Sequence, residues 1–293
     1  MRKSTGVQKR RFIQVVSALV YNLNVSGFAK GSIYQGTLKG VCVPGLNCYS
    51  CPASVASCPL GSLQSAIANP AGKLPFYITG LLMLFGALFG RMVCSFLCPF
   101  GLLQELLYKI PGPKLQKSGA TRKLSIMKYV LLIVFVIVLP YALYYVTGIG
   151  SPAFCKYICP AGSLEAGIPL VVMNEDLQNS IGFLFSWKMS LLAVFILTSV
   201  FVYRPFCRFV CPLGALYSFF NRIAVFGVRV DEKVCTGCGA CVRFCKMDVK
   251  KINDRECIRC GECIKVCPVH AVSFIRRLKN EKVSVGKEEQ KTQ

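Results

Sequence analysis

One hexapeptide pattern, C-P-x-G-x-L, constrains this chain more than any other feature, because it occurs four times, each time near an apolar run. The copies begin at Cys58, Cys98, Cys159 and Cys211. Three have a further cysteine four residues earlier, at Cys94, Cys155 and Cys207; the first copy instead has Cys51 seven residues earlier, in a group formed by Cys42, Cys48, Cys51 and Cys58. Apolar runs lie at about 12–29, 75–93, 127–147 and 184–203, each close to the roughly 20 residues that a helix needs to cross a hydrocarbon core. Interleaved, the two patterns read as a tandem duplication: span, outer cysteine motif, span, inner cysteine motif, then the same again. Arg91 and Arg204, each three residues before a cysteine, mark the same point in both halves. Hydrophobic residues make up 54% of the chain and charged ones 16%, against roughly 25% charged in a soluble domain. The expected fold class is therefore a mostly α membrane protein with about four transmembrane helices as a tandem two-span repeat. That domain covers 12–222, its halves about 12–110 and 127–222.

The first run is the weakest, because Gln14, Asn22 and Asn24 interrupt it. Lys9, Arg10 and Arg11 also suit the charged head of a signal peptide, but no convincing small-residue cleavage site follows, so the run is read as an uncleaved span. Loop charge sets the orientation. Arg2, Lys3, Lys9, Arg10 and Arg11 crowd the head (1–11), and Lys109, Lys114, Lys117, Arg122 and Lys123 follow the second run. The loop at 31–74 has only Lys39 and Lys73, and the loop at 148–183 only Lys156. Four spans with both termini in the cytoplasm, in an inner membrane, satisfy this alternation. Residues 276–293 lose apolar periodicity and read as a disordered basic tail.

The repeated motif has a physical reading. Proline suits the first position of a helix, where its missing N–H would be unpaired anyway. The cysteine before it then sits at a helix N-terminus, where free amides favour a thiolate or an anionic cluster. Leu102, Leu103, Leu106 and Leu107 mark one face of a short amphipathic helix lying on the bilayer. Pairing follows from topology. A span from 75 to 90 is about 24 Å long at 1.5 Å per residue, too far for cysteines at its two ends to share one cluster. Cys94, Cys98, Cys207 and Cys211 thus fall together on the inner side and supply four thiolates for one [4Fe-4S] cluster. Alignment of the repeats puts Cys51, Cys58, Cys155 and Cys159 around an outer one, separated from the inner by most of a bilayer. Cys42 and Cys48 are left over; replacement of Cys51 as a ligand, a disulfide and an extra metal all stay open for them.

Between 235 and 267 the spacing is tighter. Cys235, Cys238, Cys241 and Cys245 follow C-x2-C-x2-C-x3-C, and Cys257, Cys260, Cys263 and Cys267 repeat it. This is the spacing of two-cluster bacterial ferredoxins, in which the fourth cysteine of each run ligates the other cluster. The expected sets are Cys235, Cys238 and Cys241 with Cys267, and Cys257, Cys260 and Cys263 with Cys245, in an α+β domain at 228–275. Cys267 precedes Pro268, whereas Cys245 precedes Lys246. His270, the one histidine of the chain, reads as a turn residue rather than a ligand.

The two C-x3-C-P motifs after membrane spans, at Cys94/Cys98 and Cys207/Cys211, followed by this double module, resemble the membrane polyferredoxins of the NapH, NosR and CcoG type over roughly 75–275. The resemblance implies electron transfer between the quinone pool or cytoplasmic donors and partners across the membrane. The outer cysteines depart from the simplest pattern of that family and favour a protein that carries electrons to the outer face. A single histidine excludes bis-histidine haem within the chain, and the absence of GxxxxGK[ST] excludes a P-loop. No nucleophile triad or carboxylate pair suggests a substrate-transforming site. The formal charge of +22, from 35 basic and 13 acidic residues, is assigned to the membrane surface and anionic cofactors rather than to nucleic acid. Lys233, Arg243, Lys246, Lys250, Lys251, Arg255, Arg259 and Lys265 form a basic surface suited to an acidic carrier such as ferredoxin or flavodoxin. The leading expectation is an electron-transfer subunit with four [4Fe-4S] clusters that relays electrons from a cytoplasmic donor to a membrane or outer-face acceptor, with flavin or quinone entering only through partners. The alternative is an assembly or metal-handling reductase that serves maturation of a respiratory enzyme.

Overall fold

The computed structural model describes residues 5–69, 76–148 and 150–276. The head before Thr5, Lys73, and the tail expected to be disordered after Arg276 lie outside the described residues. The described chain is mostly helical, with one two-stranded sheet near its end. All four C-P-x-G-x-L copies start helices. Cys58, Cys98, Cys159 and Cys211 are extended N-cap residues (ψ 110–125°), and each following proline opens the helix. These helices are Pro59–Ile67, Pro99–Leu107, Pro160–Met173 and Pro212–Phe220. In Pro99–Leu107 the inward face is Phe100, Gly101, Gln104 and Glu105, while Leu106 is exposed.

Among the described residues two helices are long and apolar enough to cross a membrane, Gly119–Thr147 and Phe183–Phe201. The first begins at a capping box, Ser118 accepting from the Thr121 N–H at 3.4 Å, and stops at Gly148, whose φ of 70° suits glycine. Inside it the turn Leu132–Val138 widens to π geometry just before Pro140, which cannot donate to the ladder. The run expected at 75–93 forms a shorter helix, Phe76–Phe89, about 21 Å long. The run expected at 12–29 is not one helix: helix Thr5–Tyr21 ends within it, and a separate turn, Ser26–Lys30, follows. Asn22 and Asn24 make the break. Their amides reach Asn47 Oδ1 at 3.1 Å and Pro52 O at 2.9 Å, which turns the chain away from the helix axis.

Helix Thr5–Tyr21 is polar on the inside. Arg10, Gln14, Ser17 and Tyr21, spaced by four, three and four residues along one face, are buried; Phe12, Val15, Val16, Leu19 and Val20 are exposed. The loop after it behaves unexpectedly too. Residues 42–47, read as part of an outer loop, are all buried.

Near the C-terminus, strand Phe226–Val230 pairs antiparallel with Val272–Arg276, with Phe226 opposite Arg276. Between them lie two short helices, Ala240–Phe244 and Glu262–Val266. Buried side chains fasten this module to the helical part. Asn221 donates to the carbonyls of Asp254 (3.0 Å), Arg255 (3.1 Å) and Cys257 (2.8 Å). The fully buried Arg259 donates to Phe89 O at 3.1 Å and to the carbonyls of Phe226 and Asn221.

Candidate functional site

No disulfide joins any of the eighteen cysteines, and sixteen of them fall into four groups. Cys235, Cys238, Cys241 and Cys267 line one cavity of the tail module; Cys245, Cys257, Cys260 and Cys263 line another. The approach loops are related. Gly237 and Arg259 occupy the same place in the two runs, with φ of 71° and 54°, and Gly239 and Gly261 follow at 68° and 78°. Arg259 takes a conformation that usually favours glycine, held by the carbonyls it binds. His270 is an exposed residue with φ of 53° just after a turn.

Cys94, Cys98, Cys207 and Cys211 are buried in the central apolar core, at 5–7% exposure. Two arginines cross between the halves to hold them. Arg91, from the first half, donates to Cys207 O at 3.2 Å; Arg204, from the second, donates to Cys94 O at 2.7 Å. Both side chains are fully buried. Each has a carboxylate partner: Arg91 pairs with Glu256 at 2.7 Å, which Lys128 also binds, and Arg204 pairs with Glu105 at 2.9 Å. Arg10 makes a forked pair with Glu105 at 2.8 and 2.9 Å.

The outer group differs from the expected one. A cavity of about 630 Å³ is lined by Cys48, Cys58, Cys155 and Cys159. Cys51 lines a different pocket with Asn22, Phe28 and Glu165, and its sulfur lies 3.8 Å from Asn22 Oδ1. Cys48, rather than Cys51, thus shares a cavity with Cys58, Cys155 and Cys159. Two glycine contacts are reciprocal. A Cβ on Gly61 would stand 3.8 Å from Cys155 Sγ, and one on Gly162 would stand 3.7 Å from Cys48 Sγ. Cys42 stays outside the group, with its sulfur 3.5 Å from Ser62 Oγ.

The sixth residue after each Cys-Pro cysteine completes the design, and sequence reasoning missed it. Gln104 donates to Cys207 Sγ at 3.1 Å and accepts from the Phe206 N–H at 3.1 Å. Gln64 does the same for the outer group, donating to Cys155 Sγ at 3.3 Å and accepting from the Phe154 N–H at 2.9 Å. In the other two copies the position is Glu165, which accepts from the Cys48 N–H at 2.7 Å, and Tyr217, which donates to Pro44 O at 2.9 Å. The motif thus extends to C-P-x-G-x-L-Q in two copies, a signal present in the sequence.

The two membrane-domain groups are not separated by most of a bilayer. Cys58 and Cys159 share one core with Cys94, Cys98, Cys207 and Cys211. Phe154 and Phe206, each directly before a cysteine, have ring centres 6.5 Å apart.

The donor sets fit iron–sulfur clusters. Each set offers four cysteines, the donor chemistry of a [4Fe-4S] cubane; among the described residues no three His, Cys, Asp or Glu side chains gather around a single metal ion. Burial pushes Cys98 and Cys155 up to about 12 and raises Cys58, Cys94, Cys159 and Cys211 as well. Uncompensated thiolates are disfavoured there, and metal must displace the protons. Amide donors already point at sulfur: besides the two glutamines, Gly214 N–H meets Cys211 Sγ at 3.5 Å and Ala271 N–H meets Cys267 Sγ at 3.2 Å. The inner group has two buried arginines beside it, the outer one Glu165, which burial raises to about 7.

The family described as 4Fe-4S binding domain matches three stretches, 75–118, 128–168 and 183–230, and the 4Fe-4S dicluster domain matches 227–268. A Methanocaldococcus jannaschii protein named MJ0750 is 31% identical over 64% of this chain and 70% of its own length. A second from that organism, MJ0749, is 32% identical over 55% of this chain and 53% of its own. Regulatory protein NosR of Stutzerimonas stutzeri is 31% identical over 55% of this chain and 20% of its own. The chain thus spans about half the length of MJ0749 and a smaller part of NosR. No solved structure matches.

Proposed function

Because the chain belongs to the 4Fe-4S polyferredoxins of the NapH/NosR/CcoG type, we propose that it is a membrane-bound electron relay with four [4Fe-4S] clusters. The ligands are the two tail sets, Cys94, Cys98, Cys207 and Cys211 for the inner site, and Cys48, Cys58, Cys155 and Cys159 for the outer. Clusters of this kind supply one-electron carriers at potentials tuned by hydrogen bonds to sulfur and by exposure. The chain supplies their order. Cys235 and Cys238 are exposed, beside Lys233 and Arg243, and suit the entry point for an acidic donor. The second tail set follows, and Glu256, next to Cys257, binds the same Arg91 that holds Cys207 O. The inner and outer groups then share one core.

The observation that carries this reading is the reciprocal arginine pair, which joins two cysteine motifs 113 residues apart. Four spans with both termini in the cytoplasm, as a tandem repeat, complete the proposal. Its support is the outward apolar face of each helical run: Phe12 and Leu19, Met83 and Leu84, Ile133 and Ile137, Val194 and Leu197 are all exposed, as lipid contact requires. The donor, the acceptor and the outer-face partner are redox proteins or the quinone pool.

Iron and labile-sulfide quantitation on anaerobically reconstituted protein tests the assignment. Four cubanes give about sixteen irons per chain. A ceiling of eight, all in the tail, would refute the membrane-domain sites, and about twelve would refute the outer one.

A further inference from the structure

The first tail cavity is lined by tail residues, whereas the second takes one residue from the helical part: Tyr203, set with Cys245, Cys257, Cys260 and Cys263. Tyr203 follows the long helix Phe183–Phe201 and is buried. It packs in one apolar cluster with Met247 and Ile258, against which Cys245, Cys257 and Cys260 lie. Its other end belongs to the inner site. The hydroxyl donates to Glu105, on the helix that Cys98 caps, and the next residue, Arg204, donates to Cys94 O at 2.7 Å. The duplicated halves diverge at this point. The residue before the arginine is Gly90 in the first half, where a Cβ would stand 2.6 Å from Asn221 Oδ1 and 3.2 Å from Arg259 Nη1. A side chain has no room there; the second half carries a phenol at the same place. The tail also clamps the ring. Lys246 stands where the other run has Pro268, and its Nζ lies 5.3 Å from the centre of the Tyr203 ring and 5.5 Å from that of Tyr108, while it pairs with Glu262 at 3.8 Å. Tyr108 meets Tyr203 edge-on, with centres 5.4 Å apart. Lysine in place of the proline thus puts a cation over two aromatic rings.

We infer that Tyr203 is the contact that couples the second tail site to the inner site, its ring in the cavity of one and its hydroxyl and following arginine in the scaffold of the other. The inference rests on the ligand sets proposed above and goes beyond them, since cysteine spacing does not say which tail site faces the helical part or what lies between. The transfer it serves is one electron, lost by the second tail site and gained by the inner one. The phenol keeps its proton and its electrons, and no bond is made. A packed ring suits this step because an electron crosses close-packed atoms far faster than an open gap of the same width. Tyr203 acts as a positioning residue that fills the space between the sites. The first tail site is then the outward one, in keeping with the exposed Cys235 and Cys238.

The test uses the full chain, purified anaerobically in detergent, mixed with reduced methyl viologen and freeze-quenched for EPR. In Tyr203→Leu the tail signals should appear as fast as in the parent, while the inner signal grows severalfold more slowly, with iron content and midpoints unchanged. Tyr203→Phe keeps the ring and should restore the parent's rate, which a loss of general stability would not do. Equal rates in all three proteins would overturn the bridge, and so would a Tyr203→Phe protein as slow as Tyr203→Leu. A second measurement stands even if Tyr203→Leu does not assemble. With all sites reduced, magnetic broadening of the inner signal should diminish in Cys260→Ser, which removes the second tail site, and persist in Cys238→Ser, which removes the first. Broadening that responds only to Cys238→Ser, or to neither, in a chain holding about sixteen irons would overturn the bridge alone. A chain holding only about eight irons, the two tail clusters, would overturn it together with the ligand sets beneath it.

Discussion

Replacing Glu105 by alanine removes the carboxylate that two buried guanidiniums share. Arg10 and Arg204 are fully buried, Glu105 is 4% exposed, and Tyr203 completes the group with its hydroxyl. Breaking a buried ion pair by removing one partner costs about 3–5 kcal/mol, because the remaining charge is stranded in a poor solvent. The titration of the group gives a second measure. Burial alone would raise the Glu105 carboxyl, but Arg204 and Arg10 outweigh it and hold the group at about 2, against 4.5 for the free side chain. At about 1.4 kcal/mol per pH unit, that difference is worth about 3 kcal/mol. The two routes agree. The sign follows from a depressed acid: the stabilisation is fully present above pH 4.5 and is lost as pH falls through 2. Differential scanning of the detergent-solubilised chain at pH 7 should show Glu105→Ala melting several degrees below the parent, with the gap closing at pH 2–3. The inner EPR signal should weaken in parallel, since Arg204 also holds Cys94 O. A Glu105→Ala protein within 1 kcal/mol of the parent at pH 7 would show that the arginines find other partners, and would refute the argument.

Cys94→Ser and Cys207→Ser should abolish the same EPR signal, with the double variant losing little more than either single one; two signals, one lost per variant, would separate the halves. Cys48→Ser should remove the outer signal and about four irons, whereas Cys51→Ser should retain both; the reverse result would restore the set expected from repeat alignment. Gln104→Ala and Gln64→Ala should keep full iron content while lowering the midpoint of the inner and outer site respectively, by about tenfold in reduced fraction, since a hydrogen bond to a charged group is worth about 1.5–3 kcal/mol. Unchanged midpoints would leave the glutamines a purely structural part.

Helix starts at the four Cys-Pro steps are legible in the sequence because proline and cysteine act locally there. The long helices from Gly119 and Phe183 are legible because lipid-length apolar runs have few other uses. Thr5–Tyr21 is harder. Gln14 looks like an interruption, and Arg10 like part of a charged head, until Cys98 O and Glu105 are known to lie opposite them. That Cys48 rather than Cys51 lines the cavity of Cys58, Cys155 and Cys159 is invisible to spacing, since the loop around them has no period and its path is set by distant contacts: Glu165 to the Cys48 amide, and the Asn22 side chain to Asn47. The shared arginine three residues before Cys94 and Cys207 is visible in the sequence. That each crosses to the other half is not, because only the folded chain brings the halves face to face.

The crossed arginines impose an order on biogenesis. During synthesis Cys94 and Cys98 leave the ribosome more than a hundred residues before Cys207 and Cys211, and Glu256, which neutralises Arg91, emerges later still. No half of the inner site can settle on its own: its first two thiols have no partners, and Arg91 has no counter-charge until the tail has been made. Under the proposed ligand set iron enters only after translation is nearly complete, and until then the early thiols need a reducing environment to keep them from pairing wrongly.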